Sequence, residues 1–295
     1  MPFPKKLWAC TLLACLALCS QAARAALPAY SAIYVFGDSY SDVGNASIAT
    51  LGADPGAPYY QGRFSNGPIW VEHVAGAMGL PMLPFLAGGT DYAVGGAWAT
   101  QPQIILGQTV PDVPQQVALY LGQHGGKADP KALYIIQGGG NDIVGNLATS
   151  GLTPQALGFQ IALAISDSEL LLRRAGARYF LVPSLFDAGL LPAAQSNPAF
   201  ATAASVAANK SLNTLLALEG LLQGIRIQRI DVFSLYQAIR QSPPHFGFTN
   251  ITTPCLSPTL AVCSDPDHTL FWDYFHPTEF GHAFFAVTVV NALSQ

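Results

Sequence analysis

The sequence predicts an α/β fold built around a mostly parallel, five-stranded sheet. Short apolar runs with the length of buried strands alternate with longer helical segments, which is the pattern of consecutive βαβ units. Glycine-rich turns stop several of these runs, and no internal repeat, low-complexity tract or linker divides the chain. Hydrophobic residues make up 51% of the sequence and charged residues only 10%, which is sufficient for a large buried core.

Each predicted element has a local signal. The first strand is an apolar run that stops at Gly37, and the first helix starts at Pro68, a residue suited to a first helical turn. Glycines 95–96 end the second strand, and glycines 138–140 end the third. The predicted strands cover residues 33–36, 92–94, 132–137, 179–182 and 225–232. The main predicted helices cover residues 68–78, 113–121, 153–175, 199–222 and about 278–293.

Three segments at strand ends indicate where a ligand would bind. In open parallel sheets the ligand lies beyond the carboxyl ends of the strands. Ser39 follows the first strand, Gly96 follows the second, and Asn141 follows the glycines after the third. We therefore expect these three residues to meet at one edge of the sheet.

Residues 1–25 have the organisation of a secretory signal peptide. Lys5 and Lys6 precede an apolar segment, residues 7–19, that is too short to span a bilayer, and residues 23–25 form a small-x-small cleavage site. We expect a mature protein starting near Ala26, a single domain over residues 26–295, and a secreted or periplasmic location. A lipoprotein anchored at Cys15 is the alternative, although the residues before it fit a lipoprotein box imperfectly.

Removal of this leader changes the charge and cysteine counts. The mature chain would carry ten basic residues against 17 acidic ones, a net charge of −7, and no basic patch remains for nucleic acid. Only Cys255 and Cys263 stay, eight residues apart in a proline-containing segment. An even pair in an exported protein predicts a disulfide between them.

The spacing of one histidine and one aspartate points to nucleophilic catalysis. A hydrolytic serine needs a base, an acid that orients the base, and donors for the oxyanion. Asp273 lies three residues before His276, and a tight turn can bring their side chains to the same side. Rival motifs are missing: no Gly-x-Ser-x-Gly elbow, phosphate-binding loop or metal-ligand spacing is present. We therefore predict neither a metal nor another cofactor.

Five short blocks are spread across nearly the whole mature chain: residues 36–45 (FGDSYSDVGN), 62–70 (GRFSNGPIW), 91–97 (DYAVGGA), 139–142 (GGND) and 273–278 (DYFHPT). They resemble the blocks of the GDSL, or SGNH, hydrolases, in particular the lipase-like secreted bacterial branch, and they occur in that family's order. Tyr40 stands where many members have leucine, and Asp91 stands where asparagine is commoner.

This resemblance implies a fold and a role for each matching position. The family fold is a flavodoxin-like, three-layer α/β/α sandwich. Ser39 would be the nucleophile, His276 the general base and then acid, and Asp273 the residue that orients the imidazole. The oxyanion hole would combine the backbone N–H of Ser39, the backbone N–H of Gly96 and the side-chain amide of Asn141. Gly95 remains the alternative to Gly96.

The resemblance also implies an activity. We expect a serine esterase or lipase that acts on small-molecule or lipid acyl esters, including lysophospholipids, with transient contact to membrane lipids. The same machinery would serve an acyltransferase that passes the acyl chain to an alcohol. A deacetylase of carbohydrate esters and a non-catalytic binding protein are further alternatives, and the latter is disfavoured because the triad and oxyanion positions are all filled. The sequence leaves the oligomeric state open.

Overall fold

The computed structural model describes residues 27–148, 151–219, 221 and 223–294. The predicted signal peptide and its cleavage site therefore lie outside the described residues. Within the described part, no helix is both long and apolar enough to cross a membrane.

A four-stranded parallel sheet forms the centre of the fold. In their order across the sheet, the strands are β1 (Ile33–Phe36), β4 (Leu133–Ile136), β5 (Tyr179–Pro183) and β6 (Arg226–Ile230). They are fully or largely buried except for β6, which alternates between exposed and covered side chains at the edge. Ile33 pairs with Leu133, and Leu133 pairs with Tyr179, so the carboxyl ends of these strands reach one edge together.

The second predicted strand, residues 92–94, is not a regular strand, so the sheet has four strands and not the predicted five. The segment around Tyr92 runs parallel to β1 and hydrogen-bonds to it: Tyr92 N donates to Val35 O at 2.8 Å, and Val94 N donates to Gly37 O at 3.1 Å. On its other side the Asn45 side-chain amide donates to the carbonyls of Asp91 and Ala93, at 2.8 and 2.9 Å. The backbone of residues 83–85 also pairs with this side: Asp91 N donates to Leu83 O at 3.1 Å, and Phe85 N donates to Asp91 O at 2.8 Å. The edge is therefore closed by a short irregular segment together with the Asn45 side chain.

Eight α-helices surround the sheet within the described part of the chain. They are α1 (Asn45–Ala49), α2 (Trp70–Ala77), α3 (Val113–Gln123), α4 (Gly140–Gly145), α5 (Pro154–Arg174), α6 (Pro198–Glu219), α7 (Val232–Gln241) and α8 (Glu279–Leu293). Helix α5 packs on both α3 and α6, and helix α8 packs on both α2 and α7, so the helices form two groups. The two groups are the outer layers of the predicted α/β/α sandwich.

The long helices begin where side chains can cap them. Thr153 accepts a hydrogen bond from the backbone N–H of Ala156 at the start of α5, and Thr278 does the same for Gly281 at the start of α8. Such caps satisfy N–H groups that the helix itself leaves without a partner.

A two-stranded antiparallel hairpin lies outside the central sheet. Strands β2 (Gln103–Ile105) and β3 (Gln108–Val110) are joined by a two-residue turn, Leu106-Gly107, in which both residues have positive φ. The sequence did not predict this hairpin. Two-residue turns of this kind favour Asn-Gly or Gly-Gly, so Leu106 removes the usual signal.

Candidate active site

Ser39 lies in a tight turn immediately after β1. The carboxylate of Asp38 accepts a hydrogen bond from the backbone N–H of Tyr40 at 3.0 Å, and its carbonyl accepts from Ser41 at 2.9 Å. The side chain of Gln116 bonds both backbone groups of Gly37, at 2.8 and 2.9 Å. These contacts hold the Ser39 side chain at the carboxyl end of the sheet. Among the described residues, the backbone N–H of Ser39 has no acceptor.

A continuous chain of hydrogen bonds joins the three predicted triad residues. His276 Nε2 lies 2.6 Å from Ser39 Oγ, and His276 Nδ1 lies 2.7 Å from Asp273 Oδ2 and 2.9 Å from Asp273 Oδ1. All three side chains belong to residues that are buried in the fold. The serine and the Asp-His pair are more than 230 positions apart, so only the fold brings them together.

The turn that carries Asp273 and His276 is shaped by the aspartate itself. Asp273 Oδ1 accepts hydrogen bonds from the backbone N–H groups of Phe275 and His276, both at 2.7 Å, while Trp272 N donates to His276 O. The three-residue spacing therefore works through a carboxylate-closed turn and not through a helix. This turn orients Asp273 toward His276 Nδ1.

Tyr59 supplies a further hydrogen bond to the triad. Its hydroxyl donates to Asp273 Oδ2 at 2.7 Å. Burial by itself would raise the pKa of Asp273, but the neighbouring His276 and the hydrogen bonds to the carboxylate lower the pKa below its ordinary value. Asp273 is therefore ionised at neutral pH. No motif marks this contact in the sequence, since Tyr59 is 214 positions from Asp273.

The glycine pair after residue 94 presents only one available N–H. The backbone N–H of Gly95 donates to Asp42 Oδ2 at 2.8 Å, whereas that of Gly96 has no acceptor in the described part of the chain. Gly96 has φ +78°, and a Cβ there would lie 2.1 Å from Ile105 Cδ1. The positive φ and the close contact with Ile105 explain why glycine stands at position 96. The available N–H favours Gly96 over Gly95 as the donor.

Asn141 lies in the first turn of α4, facing the same pocket as the serine. Its amide nitrogen donates to Ala97 O at 2.9 Å, and the second N–H of this amide has no acceptor among the described residues. Asn141, Ser39 and His276 line one shallow pocket. Asn141 is thus tied to the residue that follows Gly96 while it keeps one donor for a ligand.

Buried carboxylates hold these loops in place. Asp42 accepts from the backbone N–H groups of Gly44, Asn45 and Ala46 as well as from Gly95. Burial raises the pKa of Asp42 to about 6, and burial also raises the pKa of Asp38 to about 6.

Asp91 and Asp142 brace the neighbouring loops in the same way. Asp91 accepts from the backbone N–H groups of Val43 and Ala93, and burial followed by the proximity of Asp42 raises its pKa well above the ordinary value. Asp142 accepts from the backbone N–H of Ala99 at 2.7 Å and from the Thr100 hydroxyl at 2.5 Å. These contacts are structural.

Further polar residues and the two cysteines brace loops or pack in the fold. Arg63 pairs with Glu72 at 2.7 Å, and Asn66 Oδ1 accepts the backbone N–H of Glu279 at 2.7 Å. His282 is fully buried on α8. Cys255 and Cys263 are joined by a disulfide. Among the described residues, no cluster of three or more His, Cys, Asp or Glu could hold a metal ion.

Comparisons with known proteins place the chain in a family. Residues 33–288 match the model of the GDSL-like Lipase/Acylhydrolase family, and the chain belongs to this family. It is 29% identical to the phosphatidylcholine-sterol acyltransferase of Aeromonas hydrophila, over 85% of this chain and 72% of that protein. It is 30% identical to a GDSL esterase/lipase of Arabidopsis thaliana, over 83% of each chain.

The comparison with solved structures concerns the fold alone. LAE5, an alpha/beta hydrolase enzyme from the metagenome of Lake Arreo, Spain, is similar with a TM-score of 0.50 and 14% identity, covering 90% of this chain and 96% of that one. The predicted fold class and the predicted class of enzyme, a GDSL-type ester hydrolase, are confirmed.

Proposed function

We propose that this protein hydrolyses lipid acyl esters through an acyl-enzyme formed on Ser39. The observation that carries the proposal is the unbroken hydrogen-bond chain from Ser39 Oγ through His276 to Asp273. A serine hydroxyl is a weak nucleophile until a base accepts its proton, and His276 Nε2 lies in the position to do so.

In the acylation step, Ser39 Oγ bonds to the ester carbonyl carbon as its proton passes to His276 Nε2. The carbonyl π electrons move to the oxygen, and the ionised Asp273 stabilises the imidazolium. When the carbonyl re-forms, the bond to the alcohol breaks and the alcohol takes the proton from His276. Water then repeats the sequence and releases the carboxylic acid.

The developing oxyanion would be held by three donors. Three N–H groups near the serine have no acceptors in the described part of the chain. They are the backbone N–H groups of Ser39 and Gly96 and the second amide N–H of Asn141. Donors fixed in advance stabilise the oxyanion without reorganisation during the reaction.

An acyl chain is the favoured part of the substrate because four apolar side chains lie beside Ser39. Val144, Phe186, Leu191 and Phe275 line the pocket beside Ser39. Phe186 stacks on the ring of Tyr40 with 4.6 Å between centroids. These apolar side chains would contact an aliphatic chain.

Acyl transfer to an alcohol is the second candidate, favoured by the similarity to the acyltransferase from Aeromonas hydrophila. Hydrolysis and transfer share every step up to the acyl-enzyme and differ only in whether water or an alcohol attacks it. Adding glycerol or a sterol during turnover of a p-nitrophenyl ester distinguishes them. Formation of the new ester at the expense of free acid would support transfer.

We also propose export from the cytoplasm, supported by the pattern of residues 1–25 and by the disulfide. N-terminal sequencing of protein recovered from the periplasm and the medium tests this. A start near Ala26 is expected, and an intact Met1 in the cytoplasmic fraction would contradict the proposal.

The central experiment uses a fluorophosphonate probe together with ester turnover. Wild-type protein should be labelled at Ser39, and Ser39→Ala should lose both labelling and turnover. Ser41→Ala is a matched control, because Ser41 is buried two residues away and bonds Gln137 instead of His276. Labelled, active Ser39→Ala protein would overturn the assignment.

A further inference from the structure

Three leucines occupy a backbone conformation that leucine rarely adopts. Leu51, Leu106 and Leu260 have φ values of +55°, +49° and +62°. Left-handed backbone brings Cβ close to the following carbonyl oxygen and is disfavoured for every residue except glycine, with Asn and Asp better tolerated. In the described part of the chain, Gln61 is the remaining non-glycine residue with positive φ.

The side chains of these leucines do not contribute to the core. Leu51 is 96% exposed, Leu106 is 67% exposed and Leu260 is 57% exposed. A leucine that strains the backbone and faces water stabilises the fold neither locally nor through burial. Strained positions of this kind indicate a role in function and not in stability.

The three leucines lie in turns or loops of three segments that pack beside the active site. Leu51 ends the turn after α1, Leu106 is in the turn between β2 and β3, and Leu260 is in the loop closed by the disulfide. Ile104, beside the hairpin turn, is 70% exposed, and Val262, in the disulfide loop, is 47% exposed. We name Leu51, Ile104, Leu106, Leu260 and Val262 the apolar rim.

Packing contacts connect the rim to the triad. Ala46 of α1, Ile105 of the hairpin and Phe64 belong to one hydrophobic cluster. Ile105 packs on Gly96, and the Phe64 ring lies 5.1 Å from that of His276.

The disulfide loop reaches the site through its own cluster. Cys255 and Trp272 pack together against Tyr59, the residue that bonds Asp273. Each rim segment is therefore one packing step from a residue of the site.

The rim segments carry no charge. Residues 43–53, 92–111 and 248–264 contain no aspartate, glutamate, lysine or arginine. A partner recognised through ion pairs, such as nucleic acid or an anionic membrane, would find no complementary group here, and the chain as a whole is acidic. An uncharged lipid surface, in contrast, gains from apolar side chains that enter it.

We propose that the apolar rim docks the enzyme on an uncharged lipid surface and so places Ser39 at the water–lipid boundary. This inference rests on the proposed function, because it names the physical state of the lipid ester that the site would meet. Docking through these segments would bring lipid to the side of the molecule on which they pack beside the site.

The test measures binding to vesicles of diether phosphatidylcholine, a neutral lipid without ester bonds, so that binding needs no turnover. Leu51→Asn with Leu106→Asn removes two rim side chains and places asparagine where it tolerates positive φ, with Asn-Gly at the hairpin turn. Leu218→Gln is the matched control, since Leu218 is 66% exposed on α6, away from the rim segments.

We expect wild-type and Leu218→Gln protein to bind the vesicles equally and with little dependence on salt. The double variant should bind about tenfold more weakly, because two leucines no longer enter the lipid. Its melting temperature and its turnover of soluble p-nitrophenyl acetate should not fall. Equal binding by the double variant, or failure of wild-type protein to bind, would overturn the proposal.

Two further results would also overturn it. Loss of soluble-ester turnover in the double variant would mean that these leucines act on the site, and a change in its oligomeric state would mean that the rim joins two copies. The proposed function fails separately, if wild-type protein lacks esterase activity or Ser39→Ala retains it while vesicle binding is unaffected.

Discussion

The candidate catalytic cleft and the proposed apolar rim are built in opposite ways. The cleft buries Asp38, Asp42, Asp142 and Asp273, and each carboxylate accepts at least two hydrogen bonds from loop backbone or side chains. The rim exposes uncharged aliphatic side chains, of which Leu51, Leu106 and Leu260 sit on disfavoured backbone.

The difference shows how one face of a protein can combine a site of fixed geometry with a surface that would bind lipid without fixed geometry. Hydrogen bonds fix the cleft because a buried carboxylate is costly unless its partners are in place. The rim needs no such geometry, because the gain from apolar contact is roughly proportional to area and has no direction. Changes in the cleft should therefore alter kcat without altering vesicle binding, and changes in the rim should do the reverse.

Asp273→Asn should give the largest effect. Replacing the carboxylate by an amide removes the acceptor that fixes the tautomer of His276, and we expect kcat to fall by about 10⁴. Vesicle binding should remain at the wild-type level. Asp231→Asn, at the exposed cap of α7, is the control and should leave kcat unchanged. A loss of less than tenfold in Asp273→Asn would contradict the triad.

Asn141→Ala should come next. If the amide donates to the oxyanion, kcat should fall by about 10² to 10³, with little change in KM. The structure adds a second role, because the same amide ties Ala97 beside Gly96. Measuring kcat and melting temperature on one sample separates these roles. A large drop in melting temperature with an intact kcat would leave only the structural one.

Removal of the disulfide should affect stability and not chemistry. Cys255→Ser with Cys263→Ser, or reduction of the wild type, should lower the free energy of unfolding by about 2–3 kcal/mol for so short a loop. Denaturant unfolding with and without reductant measures this, and the double variant should not respond to reductant. Two alkylatable thiols in unreduced protein would show that the bond does not form in solution.

Tyr59→Phe should give the smallest effect of the four. It removes one hydrogen bond to the Asp273 carboxylate, and we expect kcat to fall about tenfold, or ~1.4 kcal/mol. The pKa of Asp273 is lowered partly by this bond, so it should rise in the variant, and the loss should be larger near pH 5 than near pH 8.

The neighbouring tyrosine provides the control for this prediction. Tyr60→Phe removes a hydroxyl that has no hydrogen bond among the described residues, so its pH profile should match the wild type. Both variants leave the other ionisable neighbours of the triad, Asp38, Tyr40 and Asp54, in place. A Tyr59→Phe profile parallel to the wild type at every pH would show that Tyr59 only packs.

Contacts within the candidate site could be predicted from the sequence where a motif is short and local. The Asp273-His276 spacing is closed by bonds within four residues, and Ser39 follows directly on a strand, so both features can be recognised from the chain alone. Contacts between residues that are distant in the sequence could not be predicted in this way. Tyr59, Gln116 and Asp42 act on residues 53 or more positions away, and no spacing marks such contacts.

The sequence by itself determined the alternation of strands and helices, the triad residue types and the family, because these depend on periodicity and on contiguous motifs. The tertiary structure decided which glycine N–H is available, that Tyr59 bonds Asp273, and that the uncharged loop segments pack beside one site. It also replaced the second predicted strand with an irregular segment bonded by residues 83–85 and by Asn45. These features depend on contacts between distant segments, which exist only after the chain has packed.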